Sequence, residues 1–257
     1  MHLKVIQLNL WQGKLLEKAV EFLRREDPDV ITLQEVTGGA QNFWEDKNLD
    51  LFAYLKEKLA LEGRLAVMAR HIGDPKAYMG VAVFTKGKIT KENVLWLEEY
   101  KEVRPNHDER DWPTFPRNVL DCTVEIAGMT VHALSWHGAW TKEPADTPEK
   151  VRQAKLIADY LKKLNTPFIL GCDSNMTANT ETIKTIEAVA ENPATDPRWK
   201  IARSLHPTIH KTAKTIPEGL LVDFLFTSKH FVPVSIDAPV VPVSDHLPIR
   251  AVFELKI

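Results

Sequence analysis

Asp245 and His246 stand side by side in SDHLPIR (244–250), directly before the apolar run RAVFELKI. Taken alone the stretch is a polar turn, since Ser and Asp favour turns and Pro248 keeps the neighbouring backbone extended. The arrangement recurs along the chain. Asn9 ends VIQLN, Gln34 and Glu35 end VITLQE, His137 ends HALSWH, and Asp173 and Asn175 end FILGCDSN. Asp223 lies inside LLVDFLF, where a carboxylate is costly unless a partner satisfies it. Turns, caps and solvated strand ends account for each of these singly; one shared site accounts for them together.

Carboxylates and amide oxygens converging on one point form a hard, oxygen-rich pocket suited to Mg2+ or Mn2+. Neither a CxxC pair nor the HExxH pattern of a zinc enzyme occurs in the sequence. Two imidazoles beside such a cation add a proton-transfer group and a hydrogen-bond donor. Displacement of an alkoxide from phosphorus by water needs both, so the inferred reaction is phosphoester hydrolysis.

A shared site requires elements whose ends meet. LKVIQLNL (3–10) reads as a strand, and KLLEKAVEFLRRE (14–26) as an amphipathic helix stopped by Pro28. DVITLQEV (29–36) is a second strand, and 50–63 a second helix closing on Gly63. GVAVFTK (80–86), 118–128 and 129–136 read as strands, the last two as a hairpin around Gly128. A helix over 147–164 opens with Thr147 as N-cap and Pro148 in the first turn. PFILGCDSN (167–175) is a buried strand, 180–192 a helix, and LLVDFLFTS, FVPVSID and RAVFELKI are closing strands.

With 257 residues, 44% hydrophobic, the chain has enough apolar material for one large core. No repeat or Gly/Ser-rich linker divides it, so a single domain over 1–257 is expected. Alternating strands and helices imply one α/β domain, most simply two packed sheets with helices outside. The polar, proline-rich stretch 98–117 reads as a long functional loop. A net charge of −2 excludes a nucleic-acid polycation, so any polynucleotide contact must come from a local basic patch or from metal ions. Cys122 and Cys172, within apolar runs, read as reduced thiols of a cytoplasmic protein. The N-terminal stretch is too interrupted for a signal peptide, and no run reaches the roughly 18 apolar residues of a membrane span.

In this order the segments resemble the endonuclease/exonuclease/phosphatase superfamily, which includes pancreatic-type deoxyribonuclease, abasic-site endonucleases, neutral sphingomyelinases and inositol polyphosphate 5-phosphatases. LNLW is similar to its first-strand asparagine motif, LQEV to its metal-binding glutamate, and SWHG to its threonine-histidine-leucine motif. CDSN resembles its Gly-Asp-Phe-Asn, while VDFLF and SDH match its two later motifs and Arg117 its strand-leading arginine. The resemblance implies a four-layer α/β sandwich, two packed mixed β-sheets flanked by helices. It implies further that Glu35, with Asn9 and Asp245, holds the cation, and that Asp173 orients or deprotonates the attacking water. Asn175 would position that water and the phosphate, His246 oriented by Asp223 would serve proton transfer or phosphate contact, and His137 would stabilise charge on the phosphorane.

Cys172 and Ser174 replace the glycine and phenylalanine of the Gly-Asp-Phe-Asn motif, which bears on packing and subfamily. SWHG, where abasic-site endonucleases carry Tyr-Val-Pro-Asn, points away from that branch. Trp136 and Trp140 beside His137, and Trp112 among the arginines of the long loop, are read with Arg117 as a base-stacking and phosphate-gripping rim. The expected activity is that of a Mg2+-dependent nuclease, monomeric, taking DNA ahead of RNA. The alternative is a phosphatase or sphingomyelinase-like enzyme on a small phosphate ester, and a catalytically inactive binding module stands behind both.

Overall fold

The computed structural model describes residues 1–39, 48–103 and 115–256, apart from the side chain of Pro75. Twelve strands and four α-helices follow one another as β1 (His2–Asn9), α1 (Leu16–Glu26), β2 (Val30–Gly38), α2 (Leu51–Leu59), β3 (Glu62–His71), β4 (Asp74–Thr85), β5 (Lys88–Glu98), β6 (Lys101–Val103), β7 (Arg117–Ile126), β8 (Met129–His137), α3 (Pro148–Leu161), β9 (Phe168–Asp173), α4 (Glu181–Glu187), β10 (Asp223–Thr227), β11 (Phe231–Asp237) and β12 (Ile249–Leu255). One sheet has the order β11-β12-β1-β2-β4-β3-β6 and the other β10-β9-β8-β7-β5. Both are mixed: β1–β2 and β8–β9 run parallel and their other partners antiparallel.

Period-two alternation builds the layers. On β1, Leu3 and Val5 face the second sheet, whereas Ile6 and Leu8 pack under α1 and α2 with Leu23, Leu51 and Phe84. Helix α3, capped by the Thr147 hydroxyl accepting from the Lys150 amide, covers the other sheet through Ala154, Ile157 and Leu161. The expected four layers are present.

Four local expectations differ. The helix read over 50–63 ends at Leu59, because Ala60 turns left-handed (φ 53°), and Gly63 belongs to β3. Strand β5 escaped notice because it is an edge strand whose KITKEN stretch is mostly solvated, with charges that discourage edge pairing. The stretch 98–117 includes the end of β5, the short strand β6 and the start of β7; Trp112 lies outside the described residues. The last helix is short, Glu181–Glu187, opened by the Thr180 hydroxyl accepting from the Ile183 amide.

Candidate active site

The parallel pairs β1–β2 and β8–β9 end at the same edge of the sandwich. Register sets Asn9 beside Gln34 and His137 beside Asp173, and the antiparallel β9–β10 pair sets Asp223 beside Asp173. Asp223, read from sequence as the centre of a strand, opens β10 instead, which brings it to this edge. Asp245 and His246 lie in the turn before β12, whose Ile249 pairs with Gln7.

Glu35 reaches the site by an irregularity. Alternation along β2 would send it to the helix side with Leu33, but the β2–β4 register shifts between Leu33 and Val36, and Glu35 takes φ 53°. A bulge of this kind re-aims a side chain, and a left-handed non-glycine residue costs about 1–3 kcal/mol, which surrounding contacts must offset. Trp11, Gln12 and Asn175, all on the same rim, also have positive φ.

Asp173 is the hub. Its Oδ1 accepts from the Asn175 amide (3.0 Å) and its Oδ2 from Asn9 Nδ2 (2.9 Å). The same Oδ2 lies 3.5 Å from His137 Nε2 and 3.8 Å from His246 Nε2. His246 Nδ1 meets Asp223 Oδ2 at 2.8 Å. Burial opposes charge on His246, but Asp223 and Asp173 outweigh it and hold the imidazolium well above its ordinary range. His137 is the opposite case: burial, reinforced by the charge of Arg117, lowers it to about 3, so it is a neutral hydrogen-bonding group.

Asp173, His137 and His246 line a cavity of about 420 Å³ together with Glu35, Arg117, Asn175 and Asp245. Arg117 is buried to 4% exposure, and its Nε has no hydrogen-bond partner among the described residues. Burial lowers its pKa to about 10 while Asp173 and Glu35 pull it back up, so it is a cation at neutral pH. Trp140 lines the cavity with the Lys211 ammonium 4.5 Å from its ring centre. Trp136 is buried at 1% on the strand face opposite His137, and so it packs in the core and offers the cavity no surface. Trp11 also lines the cavity.

The donor set fits a hard divalent cation. Burial and repulsion from Asp245 push Glu35 up to about 7, and burial raises Asp245 as well: this is a carboxylate pair short of positive charge. Asn9 donates Nδ2 to both Glu35 (3.2 Å) and Asp173, while its Oδ1 accepts from the Trp11 amide (2.9 Å). Ligation through oxygen would require that amide to turn. Two triads bring their ligand atoms within 4.8 Å of one another: Asp173, Asp223 and His246, and His210, Asp245 and His246.

Sequence reasoning missed the layer beneath. Gln7 Nε2 donates to Asp223 Oδ1 (3.1 Å) and to Gln34 Oε1 (2.7 Å), and Gln34 Nε2 returns a bond to Gln7 Oε1 (2.9 Å) and another to Ser135 Oγ (3.1 Å). This buried amide ladder joins the two sheets and orients Asp223. Its sequence signal was the spacing of Gln7 from Asn9, two residues on one face of β1. The histidines of LHPTIHKTAKT, which the sequence leaves open as part of the rim or of a solvated loop, include His210, and it lines the cavity.

The model of the Endonuclease/Exonuclease/phosphatase family matches residues 6–246. No curated protein sequence matches the chain significantly. Among solved structures, an endonuclease/exonuclease/phosphatase from Bacteroides vulgatus superimposes with a TM-score of 0.72 at 20% identity, covering 100% of both chains. The mannosyl-6-phosphatase of Bacteroides thetaiotaomicron gives 0.70 at 16%, covering 99% of this chain and 100% of that one. The catalytic domain of human Nocturnin with a bound sulfate anion gives 0.69 at 16%, covering 99% and 95%. At these identities the structures speak to the fold.

Proposed function

The chain belongs to the endonuclease/exonuclease/phosphatase family, and from that membership we propose that it is a divalent-metal-dependent phosphoester hydrolase that cleaves nucleic-acid phosphodiesters. The observation that carries the chemistry is the position of Asp173 Oδ2, 2.9 Å from Asn9, 3.5 Å from His137 and 3.8 Å from His246. A carboxylate so placed accepts a proton from water and aims its lone pair, with Asn175 steering the water from the adjacent turn. Glu35 and Asp245 would hold Mg2+ or Mn2+, with Asn9 as a third oxygen donor once its amide turns. The bound cation supplies positive charge to the phosphoryl oxygens.

His246, kept cationic by Asp223, donates to the phosphate and serves as the group that returns a proton to the leaving oxygen. Neutral His137 contributes a hydrogen bond, and the buried cation of Arg117 faces the phosphoryl group across the cavity. The nuclease reading rests on Trp11 and Trp140 as stacking surfaces, with Lys142, Lys211 and Arg117 as phosphate contacts.

A second reading, a phosphatase or small-ester phosphodiesterase, is supported by the cavity itself. About 420 Å³ lies within the range of small-molecule sites, and the net charge of −2 lacks the basic excess of a nonspecific duplex binder. The deciding assay is Mg2+- and Mn2+-dependent hydrolysis of single-stranded DNA, duplex DNA, RNA, bis(p-nitrophenyl) phosphate, inositol phosphates, sugar phosphates and sphingomyelin, with His246→Ala as control. Polynucleotide cleavage abolished by EDTA and by the variant upholds the nuclease. Turnover confined to a small ester moves the same residues to the second reading, and no turnover on any member of the panel overturns both.

A further inference from the structure

The segment between Ser204 and Ile216 is fastened to the SDH turn by its backbone. The His206 amide donates to Asp245 O (2.8 Å), the Leu247 amide to Ser204 O (2.6 Å), and Leu205 bridges His246. Within it the His206 ring accepts at Nδ1 from the Thr208 and Ile209 amides (3.3 Å each), and the His210 amide donates to His206 O (3.3 Å). His210 is thereby held in the cavity wall, its ring edge-to-face with His246 at 5.7 Å between centres.

The hydrogen bonds of His210 fix which nitrogen carries its proton. The Thr212 backbone N–H, which has no acceptor role, donates to Nδ1 (3.2 Å) and so requires a lone pair there; the Thr212 hydroxyl, 2.8 Å from the same atom, then donates to it as well. The ring is therefore neutral with its hydrogen on Nε2. That atom lies 4.0 Å from Asp245 Oδ2, beyond hydrogen-bond reach. A protonated Nε2 is also the wrong form to coordinate a cation, although His210 stands in a triad with Asp245 and His246 whose spacing would admit one.

We propose that His210 is a phosphate-binding residue, a neutral imidazole whose Nε2–H donates to a non-bridging oxygen of the phosphoryl group bound between Arg117 and His246. The proposal rests on the phosphoesterase reading for its ligand and adds a donor from a segment outside the two sheets. The Thr212 bond sets its direction before any ligand arrives, so little orientation is lost on binding.

Two polar substitutions separate the possibilities. Glutamine reproduces the reach of Nε2, whereas asparagine ends near the position of Nδ1. Inorganic phosphate is titrated calorimetrically into Mg2+-loaded protein, and Mn2+ affinity is followed separately by EPR, with circular dichroism and thermal melts to certify folding. His210→Asn should weaken phosphate about 10- to 100-fold, the scale of a hydrogen bond to a charged group, with Mn2+ affinity unchanged, and His210→Gln should recover most of the loss. Unaltered phosphate affinity in folded His210→Asn overturns the proposal, as does a parallel fall in Mn2+ affinity in both variants, which would make His210 a ligand of the cation. Phosphate binding is read without turnover, so a wild-type protein inactive on every ester defeats the hydrolase reading while leaving this test intact.

Discussion

Asp223 Oδ2 and His246 Nδ1 lie 2.8 Å apart and buried, and the opposite oxygen of the same carboxylate accepts from Gln7. Each end of Asp223 is thus fixed, one by the His246 imidazole and the other by an amide from the facing sheet. A carboxylate held in this way sustains the imidazolium against burial.

Replacing Asp223 by Asn keeps the shape and removes the charge. Turnover should fall at least about 100-fold, the usual scale for losing an acid-base or electrostatic group. The sign of the pH effect follows. Without the anion the His246 pKa drops, so the imidazolium is lost at lower pH and the alkaline limb of kcat against pH moves toward acid. A wild-type alkaline limb in Asp223→Asn would remove His246 from the role of cationic donor.

Gln7 tests the layer beneath. In Gln7→Leu the Gln34 carbonyl and one Asp223 oxygen lose their donor inside the protein, at a cost of about 1–3 kcal/mol per unsatisfied group. Chemical denaturation should show that loss, and kcat should fall with KM little changed, because Gln7 positions Asp223 without touching substrate. A drop in stability with undiminished kcat would limit the ladder to holding the sheets together.

Much of this was legible before the structure. Glu35, Asp173 and His246 each mark an end or turn of an apolar run, a pattern that survives in one sequence because strands terminate where polar groups begin, and Asp223 stands out as a charge inside one. The ladder was hidden because Gln7, Gln34 and Ser135 look like ordinary polar strand residues until a second sheet faces them. Gly171 carries the same information: a Cβ there would collide with the Thr32 hydroxyl, so the sheets meet closely where the ladder crosses. Trp136 was misread because proximity to His137 in sequence means opposite faces in a strand.

The two tryptophans therefore part company on substitution. Trp136→Ala should destabilise the fold by about 3–5 kcal/mol, the range for emptying a large aromatic site in a core. Trp140→Ala should leave the melting temperature nearly unchanged and raise KM for a polynucleotide more than for bis(p-nitrophenyl) phosphate. Equal effects on both substrates would deny Trp140 a stacking role.

The carboxylate pair gives a pH test that needs no substrate. Glu35 ionises near 4.5 in an unfolded chain and near 7 in the cation-free fold, where burial comes first and Asp245 second among the causes. The folded state holds this proton more tightly, so its contribution to stability is complete below pH 4.5 and disappears as pH rises through 7. Neutral His137 and His210, both lowered to about 3, work in the opposite sense, adding stability as pH rises from 3 toward 6.5. Comparison with Glu35→Gln isolates the first effect: between pH 5 and 8 the cation-free wild type should lose stability relative to the variant. A divalent cation competes with that proton, so Mn2+ should raise the wild-type melting temperature more at pH 8 than at pH 6 and do much less for Glu35→Gln. Identical Mn2+ shifts in the two proteins at pH 8 would show that the cation is held without Glu35.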